Sequence, residues 1–294
     1  SEMMIQIVNA TKSSGKLKAI DSIDIHVKKG TIFGLIGENG AGKTTLIQCM
    51  TGIYKPDQGE ITINGEQVYE NPIVKERIGY VADQNQYFPF FKVKEMVEFY
   101  KKTYPSFLIS KFNDYNSIFK LDENKRIRQL SKGMQMRLSL MLNLSINPDV
   151  LILDEPTSGL DAIAKKQVLD ILLQEVAENK LTIFISSHHL SELERICDEI
   201  AMIHNGKITY MSTLDEMKEN IKKLQIVFDH NNPVDLGAWE EVRSIEKVGR
   251  VYYIITQKYS KELEEKLYNA GARFVEHMSL SLEEVFLYTC EEGE

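Results

Sequence analysis

Two groups of residues have the types and spacing to handle phosphate. The first is the unbroken run Gly37, Glu38, Asn39, Gly40, Ala41, Gly42, Lys43, Thr44 and Thr45 in "GLIGENGAGKTT". Its glycines let successive backbone N–H groups curl around a phosphate. Lys43 carries charge to β- and γ-oxygens, and the Thr44 hydroxyl can sit on Mg²⁺. Thr45 stands next in line for the α-phosphate. The second group is Asp154 and Glu155 in "VLILDEP", with His188 in "SSHHLSELE". Asp154 can hold Mg²⁺ through water, Glu155 is placed to polarise an attacking water, and His188 can touch a γ-phosphate. His189 reads as structural. An Asp-Glu pair can also do no more than cap a helix; the glycine loop upstream favours the chemical role. Such groups serve phosphoryl transfer, which mainly needs positioning and charge neutralisation.

These residues are useful only if strands and helices bring them together. "TIFGLI" before the loop and "TTLIQCM" after it predict a strand, a phosphate loop and a helix. "VLILD" (150–154) and "LTIFISS" (181–187) are continuous apolar runs of the kind buried in parallel sheets, with a helix over 162–179 between them. Earlier strands are read at "MIQIVNA" and "AIDSIDIHV". Asn64-Gly65 and Asn205-Gly206 mark type I′ hairpins. Residues 90–148 are helical in character, punctuated by Pro105 and Pro148. The pattern argues an α/β core with a parallel sheet and an added antiparallel sheet. After about residue 212 the texture changes to a small α+β unit. It opens with a helix "DEMKENIKKL" capped by Thr213 and Glu216, and closes with one capped by Ser281 and Glu284. The boundaries are thus 4–212, with a helical part at about 90–148, and 213–294.

The bulk composition narrows the class. The chain has 294 residues, 43% hydrophobic, and a formal net charge of −8. That balance argues against a nucleic-acid partner, which needs a basic stripe to displace counterions. Cys49, Cys197 and Cys290 are far apart and odd in number, as expected of reduced thiols in a cytoplasmic protein. No apolar run approaches the roughly 20 residues that span a bilayer, and no secretory leader is read. Trp239, Tyr252 and Tyr253 are expected in the core of the last unit rather than at a ligand.

"QLSKGMQMRLSLML" adds a second helix start, at Ser131-Lys132-Gly133, built to hold an anion. The order phosphate loop, "LSKGMQ", "LDEPTSGLD", "SSH" resembles the ATP-binding subunit of an ABC transporter, over residues 4 to about 212. The resemblance implies ATP and Mg²⁺ as cofactors and an ABC ATPase fold. It also implies two such chains facing head to tail, as homodimer or heterodimer. Ser131 and Gly133 then close over the partner's γ-phosphate, and Asp161 lies in the loop linking the two sites. A separate multi-span membrane permease is implied, with this chain peripheral on the inner face of the cell membrane. The "LSKGM" variant and the C-terminal unit, ending "SLSLEEVFLYTC", resemble those of ABC-2-type exporters of drugs or antimicrobial peptides. The competing readings are a soluble ABC ATPase acting on a ribosomal or regulatory partner and a binder that holds ATP without turnover. The single ATPase domain and the acidity disfavour the first, and Glu155 and His188 the second.

The sequence departs from the family pattern in three places. Lys132 and Met134 replace Gly and Gln in the signature. Ser14 stands where a base-stacking aromatic is expected, which weakens base recognition. Asp83 stands at the usual glutamine position with Gln84 next to it; either can reach Mg²⁺ or the water, and Gln84 is preferred. Finally, "NQYFPFF" (85–91) holds Tyr87, Phe88, Phe90 and Phe91 around Pro89, and at least one ring, Phe88 or Phe90, is expected on the surface.

Overall fold

The computed structural model describes residues 2–84, 87–230 and 234–290, without the side chains of Thr289 and Cys290. Residues 85 and 86 of the aromatic segment and the Cys290 thiol therefore lie outside the described residues. The chain divides into two compact units, Ser1–Ile208 and Thr209–Glu294. The division falls a few residues before the position at which the sequence changes texture.

The first unit opens with β1 (Met3–Ser14), β2 (Leu17–Lys28), β3 (Ile32–Ile36) and helix α1 (Lys43–Met50). Then come β4 (Gln58–Ile63), β5 (Glu66–Gln67), α2 (Pro72–Lys75) and β6 (Ile78–Val81). Helices α3 (Val93–Thr103), α4 (Ile109–Phe119) and α5 (Lys132–Ser145) form the helical part. The alternation resumes with β7 (Val150–Asp154), α6 (Ala162–Asn179), β8 (Thr182–Ser187) and α7 (Leu190–Ile196), and ends with β9 (Glu199–His204) and β10 (Lys207–Thr213).

Two sheets result, an antiparallel one ordered β2-β1-β4-β5 and a six-stranded one ordered β10-β9-β3-β8-β7-β6. In the second, β3, β9, β8, β7 and β6 pair in parallel. Every residue of β3, β7 and β8 is buried, which is why they read as unbroken apolar runs. Phe33 and Phe184 stack between neighbouring strands at 5.5 Å. Leu46, Ile47 and Met50 of α1 join a core shared with Ile5, Ile7 and Ile23 of the antiparallel sheet. Register pairs Asp154 with Ser186 and Ile36 with Ser187. The ends of β3, β7 and β8 therefore fall on one edge, where parallel sheets bind ligands.

Both Asn-Gly turns are as expected, with Asn64 and Gly65 at φ 51° and 83° and Asn205 and Gly206 at 48° and 77°. The second also clamps the site. The Asp21 N–H donates to the Gly206 carbonyl at 2.8 Å, and the Gly206 N–H donates to the Ala41 carbonyl at 2.9 Å. A Cβ on Gly206 would stand 2.6 Å from the Ala19 carbonyl oxygen, whereas one on Gly65 meets nothing within 4 Å. Gly206→Ala is therefore expected to destabilise by about 1–3 kcal/mol more than Gly65→Ala, where only the positive φ is strained. Urea unfolding of the two variants measures the difference; equal losses would mean that the Gly206 turn yields freely.

The second unit contains α8 (Leu214–Asn220), β11 (Lys222–Phe228), β12 (Val242–Val248), β13 (Val251–Thr256), α9 (Lys261–Asn269), β14 (Ala272–Met278) and α10 (Leu282–Cys290). Its antiparallel sheet, ordered β12-β13-β11-β14, packs Leu224, Ile226 and Ile254 against Leu263 and Leu267 of α9. Trp239 and Tyr252 pack partly buried against this core, as expected. The helix expected over "DEMKENIKKL" stops at Asn220. "KKL" joins β11 instead, because Leu224 is fully buried between Ile254 and His277 on the neighbouring strands.

Candidate functional site

The phosphate loop leaves β3 and turns through Gly40 and Gly42, at φ 83° and 112°, into α1. A Cβ on Gly42 would lie 2.5 Å from the Ala19 carbonyl oxygen, so this position needs glycine for space as well as for φ. α1 begins at Lys43 without a side-chain cap, which leaves its first N–H groups for an anion. Lys43 is buried and donates to the Gly37 carbonyl at 2.6 Å and to Glu155 Oε1 at 2.8 Å.

Glu155 follows β7 and holds a left-handed φ of 51°, its N–H donating to the Ser186 carbonyl at 3.1 Å. Its other oxygen, Oε2, lies 3.0 Å from His188 Nδ1. One carboxylate thus bridges the phosphate loop to the end of β8. Burial pushes the Glu155 carboxyl up, but Lys43 and His188 outweigh it and hold the group below the ordinary glutamate value. Asp154 differs. Its Oδ1 accepts from Ser186 Oγ at 2.7 Å and its Oδ2 from Thr44 Oγ1 at 3.3 Å. Burial raises its pKa, opposed by those two hydroxyls and assisted by the charges of Glu155 and Asp83. A divalent cation would reverse that shift by favouring the charged carboxylate. The Thr44 hydroxyl and the Asp154 carboxylate are hard oxygen donors of the kind Mg²⁺ takes together with substrate phosphates.

These groups open onto a cavity of about 720 Å³ lined by Lys43, Thr44, Thr45, Asp83, Asp154 and Glu155, with Asn39, Gly40 and Gly42 on the loop side. Glu38 and Ala41 shape the loop by a backbone bond, the Ala41 N–H donating to the Glu38 carbonyl at 3.1 Å. Of the two candidates Asp83 and Gln84, Asp83 lines this cavity and Gln84 does not. Gln84 is exposed and, together with Asp83, lines a neighbouring cavity of about 250 Å³ with Lys132, Gln135 and Met136.

Ser131, Gly133 and Asp161 are not among the residues lining the large cavity. Ser131 caps α5, its Oγ accepting from the Met134 N–H at 3.1 Å. Asp161 caps α6 in the same way, accepting from the Ala164 N–H at 2.8 Å. A Cβ on Gly133 would approach Leu160 to 3.0 Å, so the loops carrying Ser131 and Asp161 touch. Sequence reasoning missed Ser186, the partner shared by Asp154 and Glu155. Its signal was a hydroxyl at the last turn of an otherwise apolar strand.

A family model described as ABC transporter matches residues 20–158. The chain is 32% identical over 285 residues to the ABC transporter ATP-binding protein YtrB of Bacillus subtilis (strain 168), covering 97% of each chain. It is 34% identical over 226 residues to the bacitracin transport ATP-binding protein BcrA of Bacillus licheniformis, covering 75% of this chain and 73% of BcrA. A probable sulfate/thiosulfate import ATP-binding protein, CysA of Chlorella vulgaris, is 31% identical over 223 residues, 74% of this chain and 94% of that one. With that near-complete match to YtrB and a site assembled for triphosphate chemistry, the chain belongs to the ABC transporter ATP-binding proteins and is an ATP-hydrolysing enzyme.

Proposed function

We propose that this chain hydrolyses ATP to power a separate membrane permease, with export of drugs or antimicrobial peptides as the work done. The observation that carries the ATPase site is the convergence of Lys43, Thr44, Asp154 and Glu155 on one cavity, with His188 reaching it through its contact with Glu155. The loop N–H groups and Lys43 bind the phosphates, and His188 contacts the γ-phosphate. Glu155 orients a water and takes its proton as the water oxygen bonds to the γ-phosphorus and the bond to the β,γ-bridging oxygen breaks. Thr44 and Asp154 would hold Mg²⁺, which would supply charge neutralisation. Ser131 and Gly133 stand apart from this cavity and serve the ATP of a second chain, with Asp161 between the two sites. No described helix is long and apolar enough to cross a membrane; the separate permease, and a place for this subunit on the inner face of the cell membrane, rest on the relationship to ABC transporter ATP-binding proteins. Export rather than import rests on the resemblance of the LSKGM signature and the C-terminal unit to those of ABC-2-type exporters, since the relatives include both a bacitracin transport protein and an import protein.

The segment after Asp83 suits the coupling role. Tyr87 is anchored, its hydroxyl 2.8 Å from that of Tyr100 and 3.3 Å from Ser139 Oγ. Phe88 and Phe90 are 50% and 64% exposed, as expected for this stretch. Phe88 stands edge-on to the exposed Phe99, beside a groove of about 550 Å³ with Phe91, Val97, Phe99 and Ile109 among the charged side chains of Lys94, Glu95, Glu98, Lys102 and Glu123. A cytoplasmic helix of the permease fits such a groove, and a truncated aromatic anchor costs about 2 kcal/mol or more. Changing Phe88 and Phe90 together to Ser should leave ATP binding by the purified subunit intact, lower permease co-purification more than tenfold and uncouple transport. Unchanged co-purification removes the coupling role from these rings. A co-purifying ribosome in place of a multi-span protein would overturn the transport reading, and ATP-driven uptake would overturn the direction.

A further inference from the structure

We infer that Leu17 is the platform on which the nucleotide base rests, and that the site accepts adenine and guanine nucleotides with little preference. The inference rests on the phosphate-site reading above. The reactive end of the large cavity is fixed by Lys43, Asp83, Asp154 and Glu155, so the γ-phosphate lies there and the base must extend the other way. That other wall is built from Leu17 and Ala19 of β2, Lys18 between them, and the Asn205-Gly206 turn. Leu17 is the one large apolar side chain among the lining residues, and no aromatic ring is present there.

The position of Leu17 is fixed by the backbone. Ser14 and Leu17 pair directly across the β1–β2 hairpin, so their side chains stand on the same face of the sheet. A ring at position 14 would share that face; with Ser14 there, the apolar surface falls to Leu17. The wall is held to the phosphate loop by the Gly206 bonds to Asp21 and Ala41, so the spacing from Leu17 to α1 is set by main chain. Leu17 is nevertheless 74% exposed, a large apolar side chain with little protein contact. A purine face laid on it removes apolar area from water on both partners. Such contact does not distinguish purines. Strong discrimination needs polar groups built to pair with one base edge. Of the polar side chains at this end, Asn205 turns its amide nitrogen to the His204 ring at 3.2 Å, and Lys18 pairs with Asp21 at 3.6 Å.

Equilibrium competition binding by the full chain, with Mg²⁺, against ATP, GTP and inorganic tripolyphosphate tests this. Leu17→Ser is expected to weaken ATP and GTP alike by about fivefold, the scale of one partly buried leucine. Tripolyphosphate affinity should not change, because that probe has no base. Leu17→Met, which keeps the apolar area, should bind as the parent does. The exposure of Leu17 means that none of these changes threatens the fold. If Leu17→Ser binds ATP within twofold of the parent, or the parent prefers ATP over GTP by more than about tenfold, the platform is elsewhere or the base is read by polar groups. The phosphate-site reading then still stands. A parent that binds neither ATP nor tripolyphosphate overturns the phosphate site itself.

Discussion

Lys43→Ala should lower ATP turnover at least about 100-fold, the scale seen when one preorganised donor to developing negative charge is removed. Lys43 is the cation buried in the phosphate loop, and nothing else on the loop side of the cavity carries its charge. The loss should have a second signature. Lys43 is also the partner of Glu155 Oε1, and both side chains are at most 10% exposed. Removing one member of a buried pair strands the other, at a cost of about 3–5 kcal/mol, less here because His188 still faces Oε2. The sign with pH follows from the depressed pKa of Glu155. A carboxyl held below its unfolded value contributes stability that is present above about pH 4.5 and is lost as pH falls through the folded value. In the variant, His188 alone is left to oppose burial at Glu155, and most of that contribution disappears. The difference in unfolding free energy between parent and Lys43→Ala should therefore be largest near neutrality and shrink below about pH 4. A difference that is flat with pH would mean that the pair carries no net charge coupling, and parental turnover would end the site assignment.

The parts of this site legible in the sequence are those whose chemistry demands particular residues in an unbroken order. Gly42 is forced by its φ and by the Ala19 carbonyl, and Lys43 and Thr44 follow it without a gap. Asp154 ends, and Glu155 follows, an apolar strand whose burial on both faces makes it legible as an unbroken run. What stayed hidden depends on direction rather than on residue type. Asp83 and Gln84 are both capable oxygen donors, and only the path of the chain beyond β6 decides which faces Lys43. β6 itself, four residues with Gly79 inside, is too short to show a period, and α7, with seven residues, is too short as well. The end of α8 was misplaced because "KENIKKL" suits a helix locally. The pairing of Leu224 with strands on both sides overrides that preference. Leu17 carried no signal at all, since an exposed leucine at a hairpin is ordinary until the cavity beside it is seen.

Glu155→Gln should separate binding from turnover. The amide keeps the shape of the side chain but cannot take the proton of the attacking water, so hydrolysis should fall about 10²–10⁴-fold. ATP should still bind, and more tightly, because Lys43 no longer has a carboxylate competing with the γ-phosphate for its ammonium. Long-lived ATP has a consequence at the other helix start. Ser131 and Gly133 open α5 on an exposed loop that lies outside the cavity formed by Lys43, so they have no phosphate of their own to hold. In a head-to-tail pair each loop would close on the partner's γ-phosphate, and the variant should keep two chains together for as long as ATP is intact. Size-exclusion chromatography should then show a dimer of Glu155→Gln with ATP and Mg²⁺ and a monomer with ADP. Changing Ser131 to Arg in the same background should abolish the dimer and leave ATP binding to the single chain unchanged, because Ser131 touches nothing in its own cavity. Normal turnover by Glu155→Gln removes the proton-accepting role from Glu155. A dimer that survives Ser131→Arg, or that forms equally with ADP, shows that the chains meet through some other surface.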